Sequence, residues 1–290
     1  MSRMNENLCR DITAQIIESL KNSVGPWTKP WECNGLPRNR TTHKPYRGIN
    51  TLLLMLAAMK HNFGSAEWVT FHQAKHLGGA VKPGARGTSI VFFQCTEAPV
   101  MLVDERTGEI DETIEKRFLL RKYAVFNVEQ TTLKSDETRK AFRPVQTAED
   151  LLNEIPAVVK HGGDQAFYDV IGDIIQMPEK ERFDSADGYY ATRLHETIHW
   201  TGRTDRLGRI SLTPFASQAY AKEELTAELG STFLCGHLGI QHSARHAGAY
   251  IESWLKILKN DVRFIFKAAN EAQKACDFIL DYMPKAEKAG

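Results

Sequence analysis

The chain has 290 residues, 42% of them hydrophobic and 25% charged, with a formal net charge of +1. Those values belong to a soluble globular protein of two ordinary domains or one large one. The five cysteines are scattered with no C-x-x-C pair, which excludes a disulfide framework and a cysteine zinc site, and the longest apolar run, residues 52–59, is far too short to cross a bilayer.

The overall charge hides an asymmetry. Residues 1–90 carry 12 Lys and Arg against 5 Asp and Glu, a net of +7, whereas residues 143–290 carry 17 against 21, a net of −4. A polyanionic partner would therefore meet the N-terminal part. The first 20 residues have charges spread through them and no apolar stretch, so no signal peptide is expected and the cytoplasm is the expected location.

In chain order, residues 8–22 predict an amphipathic helix with Ile12, Ile16, Ile17 and Leu20 on one face. A long Pro-, Gly- and Arg-rich loop follows, then a helix over 50–61. Residues 66–94 read as a short helix, a Gly/Pro turn and a strand; 96–118 as a charged, hairpin-like insertion turning at Asp104–Gly108; and 121–131 as a returning strand. The polar segment 131–146 reads as a linker. Beyond it come a helix over 148–161, two short β-runs (AFYDV and GDIIQMP), a helix carrying ATRLHETIHWTGR, a helix over 220–238, and a last amphipathic stretch over 247–283 with a break near Lys259-Asn260.

Within ATRLHETIHWTGR lies His195-Glu196-Thr197-Ile198-His199, the pattern H-E-x-x-H. Helical positions four apart share a face, so His195 and His199 can present two imidazoles to one ion. Glu196 lies about 100° round from His195 and can take a proton from water activated there without ligating the ion. The bare pattern also fits an exposed helix with two histidines. Three neighbours favour the metal: a short β-run before it, a Thr201-Gly202-Arg203 stop after it, and YAKEELTAELGSTF downstream. That last segment places Glu224 and Glu228 one helical turn apart and resembles the gluzincin E-x-x-x-D arrangement, with Glu for Asp. Glu224 is the expected third ligand and Glu228 the carboxylate that fixes a ligand histidine's tautomer. The two roles can be exchanged, and Glu223 is a further candidate. Zinc is the expected ion, another divalent cation such as manganese the alternative, and zinc-metallopeptidase chemistry the activity such a site would carry.

In the basic part, Trp27, Trp31, Tyr46, Trp68 and Phe71 are interleaved with Lys29, Arg38, Arg40, Lys44, Arg47, Lys75, Lys82 and Arg86. Such mixtures hold single-stranded nucleic acid, the rings by stacking on bases and the cations by neutralising phosphates. Any single tryptophan can equally be a core anchor; the coincidence of rings with basic excess favours binding. The loop from Lys82 to Thr88 lacks the Gly-Lys-Ser/Thr of a nucleotide P-loop.

The stretches GPWTKPW, RNRTTHKPYRGIN, WVTFHQAKHLGGAVKPGARGT and YAVFNVEQT resemble the N-terminal single-stranded-DNA-binding domain of the ArdC-type antirestriction proteins. LHETIHWTGR with YAKEELTAELGSTFLC resembles the zincin-like metallopeptidase domain that follows it in that family. The resemblance covers nearly the whole chain. It implies an α+β architecture: an α+β DNA-binding domain over 1–132, a linker over 133–147, and a mostly helical, gluzincin-type domain with a small antiparallel sheet over 148–290. It also implies a plasmid-borne protein that binds single-stranded DNA non-specifically and protects incoming DNA from host restriction during conjugation. Host restriction enzymes or another host protein are further partners, and no membrane is involved. The competing reading is an intracellular zinc metalloprotease whose N-terminal domain serves recruitment.

Overall fold

A computed structural model describes residues 3–21, 35–103, 110–134, 144–210, 218–241 and 247–284. The protein is α+β. Helices α1 (Arg3–Lys21) and α2 (Ile49–His61) and the short α3 (Phe71–His76) accompany a four-stranded sheet of β1 (Arg38–Asn39), β2 (Glu67–Val69), β3 (Thr88–Val103) and β4 (Ile110–Asn127), in the order β1-β2-β4-β3. Helix α3 starts on a full capping box, Thr70 with Gln73.

The strand, insertion and returning strand expected over 88–127 are one continuous antiparallel hairpin, in register from Thr88↔Val125 to Val103↔Ile110. Its tip, including the expected turn at Asp104–Gly108, lies outside the described residues. Only the hairpin's base joins the sheet, through Trp68↔Asn127 and Val69↔Phe126. At Val91 the outer edge of β3 is capped by a side chain: Asn50 Nδ2 donates to Val91 O at 2.8 Å, and Val91 N–H donates to Asn50 Oδ1 at 2.9 Å. Satisfying both backbone groups at once blunts an edge that could otherwise pair with another strand.

Further along, α4 (Pro144–Glu154) begins inside the segment read as a linker, with Pro144 at its first position, where the missing N–H costs nothing. It ends well before His161 because Pro156 removes a donor and forces Ile155 out of helical geometry. Then β5 (Val158–His161), β6 (Phe167–Asp169) and β7 (Ile174–Met177) form a three-stranded sheet in the order β5-β7-β6. This sheet is mixed, which corrects the antiparallel expectation: the chain passes from β5 to β6 on the far side of β7, so β5 runs parallel to β7 and only β6 and β7 form a hairpin. The rest is helical, α5 (Ala186–Thr201), α6 (Gln218–Leu238), α7 (Ala247–Asn260) and α8 (Phe264–Leu280). The break expected near Lys259-Asn260 falls between α7 and α8, where Asp261 accepts from Arg263 N–H at 3.0 Å.

One apolar core runs from Ile12 and Ile16 of α1 through Leu52 of α2 to Leu194, Leu225, Trp254 and Ile265. The basic N-terminal part is thus fastened to the helical part through its own helices. Polar contacts reinforce the join: Gly48 N–H donates to Gln273 Oε1 at 3.0 Å, Thr13 Oγ1 donates to Val262 O at 2.7 Å, and Arg47 pairs with Asp277. A second, smaller core of Leu54, Ala58, Trp68, Ile90 and Val125 lies under the four-stranded sheet.

Trp68, expected among the base-stacking residues, is 0% exposed at the centre of that small core. Both faces of its indole are occupied by protein, so it cannot stack on a base, and the reading is corrected to a packing role. Trp68→Ala is expected to lower unfolding stability by about 3–5 kcal/mol, the range for a large-to-small change at a filled site. Urea denaturation of the two proteins checks this.

Candidate metal centre

The H-E-x-x-H segment occupies the last two turns of α5. That helix starts on Ser185, whose Oγ accepts from Gly188 N–H at 3.1 Å. It ends at Gly202, but not through the left-handed turn usual for a glycine stop: the residue has φ −79°, and glycine is needed there for space. A Cβ on Gly202 would come within 2.7 Å of Ile210 Cγ1 and 3.0 Å of Arg209 Nη2. The chain folds back onto the helix end, with Arg209 and Ile210 N–H both donating to Gly202 O at 2.8 Å. Two further arginines anchor this return. Arg206 lies over the Trp200 ring at 4.0 Å and pairs with Asp173 at 2.6 Å, and Arg203 reaches the same carboxylate, also at 2.6 Å. Tyr168 completes the cluster by donating to Asp173 Oδ1 at 2.7 Å. Led by the Arg206 hydrogen bond, these contacts hold the Asp173 carboxyl down to about 2 against its burial.

Helix α6 faces α5 at close range, because Gly230 leaves room for Ile198, whose Cδ1 a Cβ there would meet at 2.7 Å. This approach sets the α6 glutamates against the α5 histidines. His195 Nε2 lies 3.5 Å and His199 Nε2 3.4 Å from the two oxygens of Glu224. The far nitrogens face other carboxylates, His195 Nδ1 being 3.4 Å from Glu228 and His199 Nδ1 3.3 Å from Glu223. Glu223 is in turn gripped by Arg209, whose Nη2 donates to it at 3.0 Å and to Ile198 O at 2.8 Å. Glu196, Glu224, Glu228 and His199 are all buried.

Electrostatics follow from this packing. Burial alone would lower the two histidine pKa values, but the carboxylates outweigh it. His195 is held well above its usual value by Glu224 and Glu228, and His199 is pushed up to about 9 by Glu223 and Glu224. Burial would raise Glu224 and Glu223, yet the histidines, and for Glu223 also Arg209, bring both below the ordinary glutamate value.

His195, His199 and Glu224 each offer one ligand atom, all within 4.8 Å of one another. A tetrahedral ion with bonds of about 2.0–2.1 Å separates its ligand atoms by roughly 3.3–3.4 Å, close to the Nε2–oxygen distances seen. With Nδ1–H of each ring turned to a carboxylate, loss of the Nε2 proton on cation binding leaves the Nε2 lone pairs toward the third donor. The donor set fits a divalent cation. Of the three glutamates weighed from sequence, the structure sets Glu224 between the rings and Glu228 and Glu223 behind them. Arg209 was not foreseen; its only trace in the sequence is a basic residue just beyond the Gly202 stop.

In the basic part, Lys44, Lys75, Lys82 and Arg86 are exposed, and Lys82 Nζ donates to Glu129 O at 2.8 Å. Tyr46 is half-buried and accepts from Asn39 at 3.4 Å. Arg38 and Arg40 both pair with Glu67, itself 2% exposed, and Arg47 pairs with Asp277, so these three charges already face carboxylates. Trp27, Lys29 and Trp31 lie outside the described residues. Among the described residues no helix is long and apolar enough to cross a membrane.

An H-E-x-x-H helix packed on a glutamate-bearing helix beside a small sheet defines a zincin-like metallopeptidase fold, and residues 146–271 match the family model of that description. Residues 6–126 match the model for the N-terminal domain of the anti-restriction factor ArdC. The crystal structure of the antirestriction protein ArdC from plasmid R388, metal-free, superposes with a TM-score of 0.79 at 37% identity, covering 95% of this chain and 97% of that one. Its Mn(II)-bound form gives 0.77 at 36%, covering 96% and 98%. The uncharacterized protein y4eC of Sinorhizobium fredii is 36% identical over 96% of this chain and 92% of its own. A DNA primase TraC of Escherichia coli is 38% identical over 98% of this chain, which spans 28% of the primase's length. The chain belongs to the ArdC family of antirestriction proteins.

Two outcomes follow for the centre. Arg209→Ala removes no donor but frees Glu223 and, through it, the His199 ring; divalent-metal affinity is expected to fall about 10–100-fold, measured by competition with a chromogenic chelator. The second concerns pH. A histidine raised from 6.5 to about 9 stabilises the metal-free fold below pH 6.5, and that contribution is lost as pH rises through about 9. Cation binding needs the same nitrogens deprotonated, so affinity should strengthen over that interval and binding near neutral pH should release protons. Calorimetry in buffers of different ionisation enthalpy counts them, and a count of zero would contradict the charge state described.

Proposed function

We propose that this protein binds single-stranded DNA non-specifically through its N-terminal part and protects incoming plasmid DNA from host restriction during conjugation, with a divalent-metal centre of metallopeptidase type in its helical half. The observation that carries the reading is the joining, in one chain, of a buried two-histidine, one-glutamate donor set to a basic part with exposed cations. The functional division falls between residues 1–132 and 148–290, across the segment 133–147, and the setting is the cytoplasm.

In this reading His195, His199 and Glu224 hold the ion, and Glu228 and Glu223 orient the two rings from behind. The Mn(II)-bound form of the R388 relative supports zinc or manganese as that ion. When bound, such a cation supplies Lewis acidity toward water and carbonyl oxygen. Glu196, buried next to His195 and acting on its charge, is the proton acceptor. On the DNA side, Lys44, Lys75, Lys82 and Arg86 are the cations placed to meet phosphate, while Arg38, Arg40 and Arg47 reach it only by sharing their carboxylate partners.

The test is a restriction-protection assay in cells with the wild type, Glu196→Gln, and a variant with Lys44, Lys75, Lys82 and Arg86 all changed to Ala, each purified for metal content and DNA binding. The four-cation variant is expected to lose protection and to bind single strands with a shallower salt dependence, by about 0.7 in log–log slope per phosphate contact removed. Wild-type binding and protection in that variant would sink the DNA reading. Glu196→Gln is expected to keep its metal, and loss of protection in it ties protection to proton transfer at the centre. Cleavage of a general substrate without DNA, abolished in Glu196→Gln, would instead favour the protease reading.

A further inference from the structure

With Trp68 buried, the four-stranded sheet still presents aromatic rings to solvent at another place. Phe92 on β3 is 54% exposed and Tyr123 on β4 is 44% exposed. Their ring centroids lie 5.5 Å apart with planes at 85°. The pairing Ile90↔Tyr123 and Phe92↔Arg121 puts Ile90, Phe92, Arg121 and Tyr123 on one face of the hairpin, since directly opposed residues share a face. Near the root that face is core, Ile90 being 3% exposed and Val125 0%. Two residues further out it opens to solvent with two rings and a guanidinium. Arg121 is exposed, and among the described residues no ion pair involves it.

We infer that Phe92 and Tyr123, with Arg121 beside them, form a base-stacking platform for single-stranded DNA; this rests on the DNA-binding reading above. Two perpendicular rings leave at least one π-face for a base, and Arg121 supplies the cation for the adjoining phosphate or for stacking in its own right. The partner is a single strand because a duplex hides its base faces within the stack. Exposed Arg86, two residues before β3, stands six residues from Phe92, at most about 20 Å away for extended chain, which is within reach of one bound strand. Phe71, also exposed, has no such arrangement: its ring neighbour is His72, on a different element from the hairpin.

The experiment is binding of fluorescein-labelled oligo-dT to the full chain, titrated at several salt concentrations. The proteins compared are the wild type, the double variants Phe92→Ala/Tyr123→Ala and Phe92→Leu/Tyr123→Leu, the ring-preserving pair Phe92→Trp/Tyr123→Phe, and Arg121→Gln. Both ring-removing variants are expected to bind at least tenfold more weakly with the salt slope unchanged, as base–aromatic stacking predicts, and with unaltered thermal unfolding. The ring-preserving pair should bind as wild type, and Arg121→Gln should lower the slope by about 0.7. The leucine variant keeps apolar cover on the strand, so weak binding there is not a folding defect. Wild-type affinity in both ring-removing variants overturns the platform and leaves the DNA reading standing. A wild type that binds no oligo-dT at any salt overturns both.

Discussion

The packing of α5 against α6 answers one electrostatic problem: the imidazoles of His195 and His199 and the carboxylates of Glu223, Glu224 and Glu228 are largely withdrawn from water. An isolated buried charge is too costly to keep, so each of these groups must face an opposite partner or a metal. Glu224 lies between the Nε2 atoms, Glu228 and Glu223 take the Nδ1 atoms, and Arg209 neutralises the outermost carboxylate. The charges alternate in sign from the centre outward, from Glu224 through the two histidines to Glu228 and Glu223 and then Arg209. The close approach at Gly230 and the folded-back loop after Gly202 are steric conditions for that order.

The loop after α5 connects the centre to the small sheet. Arg203 and Arg206 fasten it to Asp173 at the start of β7, while Arg209 reaches inward to Glu223. Three arginines within seven residues thus do separate jobs, two tying the helix end to the sheet and one ordering a histidine. On the opposite side, α1 and α2 add Ile12, Ile16 and Leu52 to the same apolar core that holds α5 and α6, and Gln273 and Asp277 of α8 hold the backbone at Gly48 and the side chain of Arg47. The basic part is built against α7 and α8 of the helical half and is not tethered to it by a linker alone.

That construction divides the N-terminal cations into two groups. Arg38 and Arg40 pair with Glu67 where β1 runs beside β2, which makes them part of the scaffold. Lys44, Lys75, Lys82 and Arg86 stand in solvent. Composition weighs all of them alike, because net charge counts side chains without regard to where their partners are.

The sequence by itself determined what is local. Two histidines four apart present their imidazoles on one face of a helix, and the helical periods of α1, α7 and α8 were legible because a 3.6-residue repeat of apolar side chains needs no knowledge of the partner surface. Only the tertiary structure decided which of Glu223, Glu224 and Glu228 stands between the rings, since all three lie within two turns of one helix and the choice is made by how α6 is rotated against α5. It also decided that β5 runs parallel to β7, that Trp68 is core while Phe92 and Tyr123 stand outside, and that Arg209 serves His199. Burial and pairing depend on residues brought together from distant parts of the chain, and spacing along the sequence does not encode that meeting.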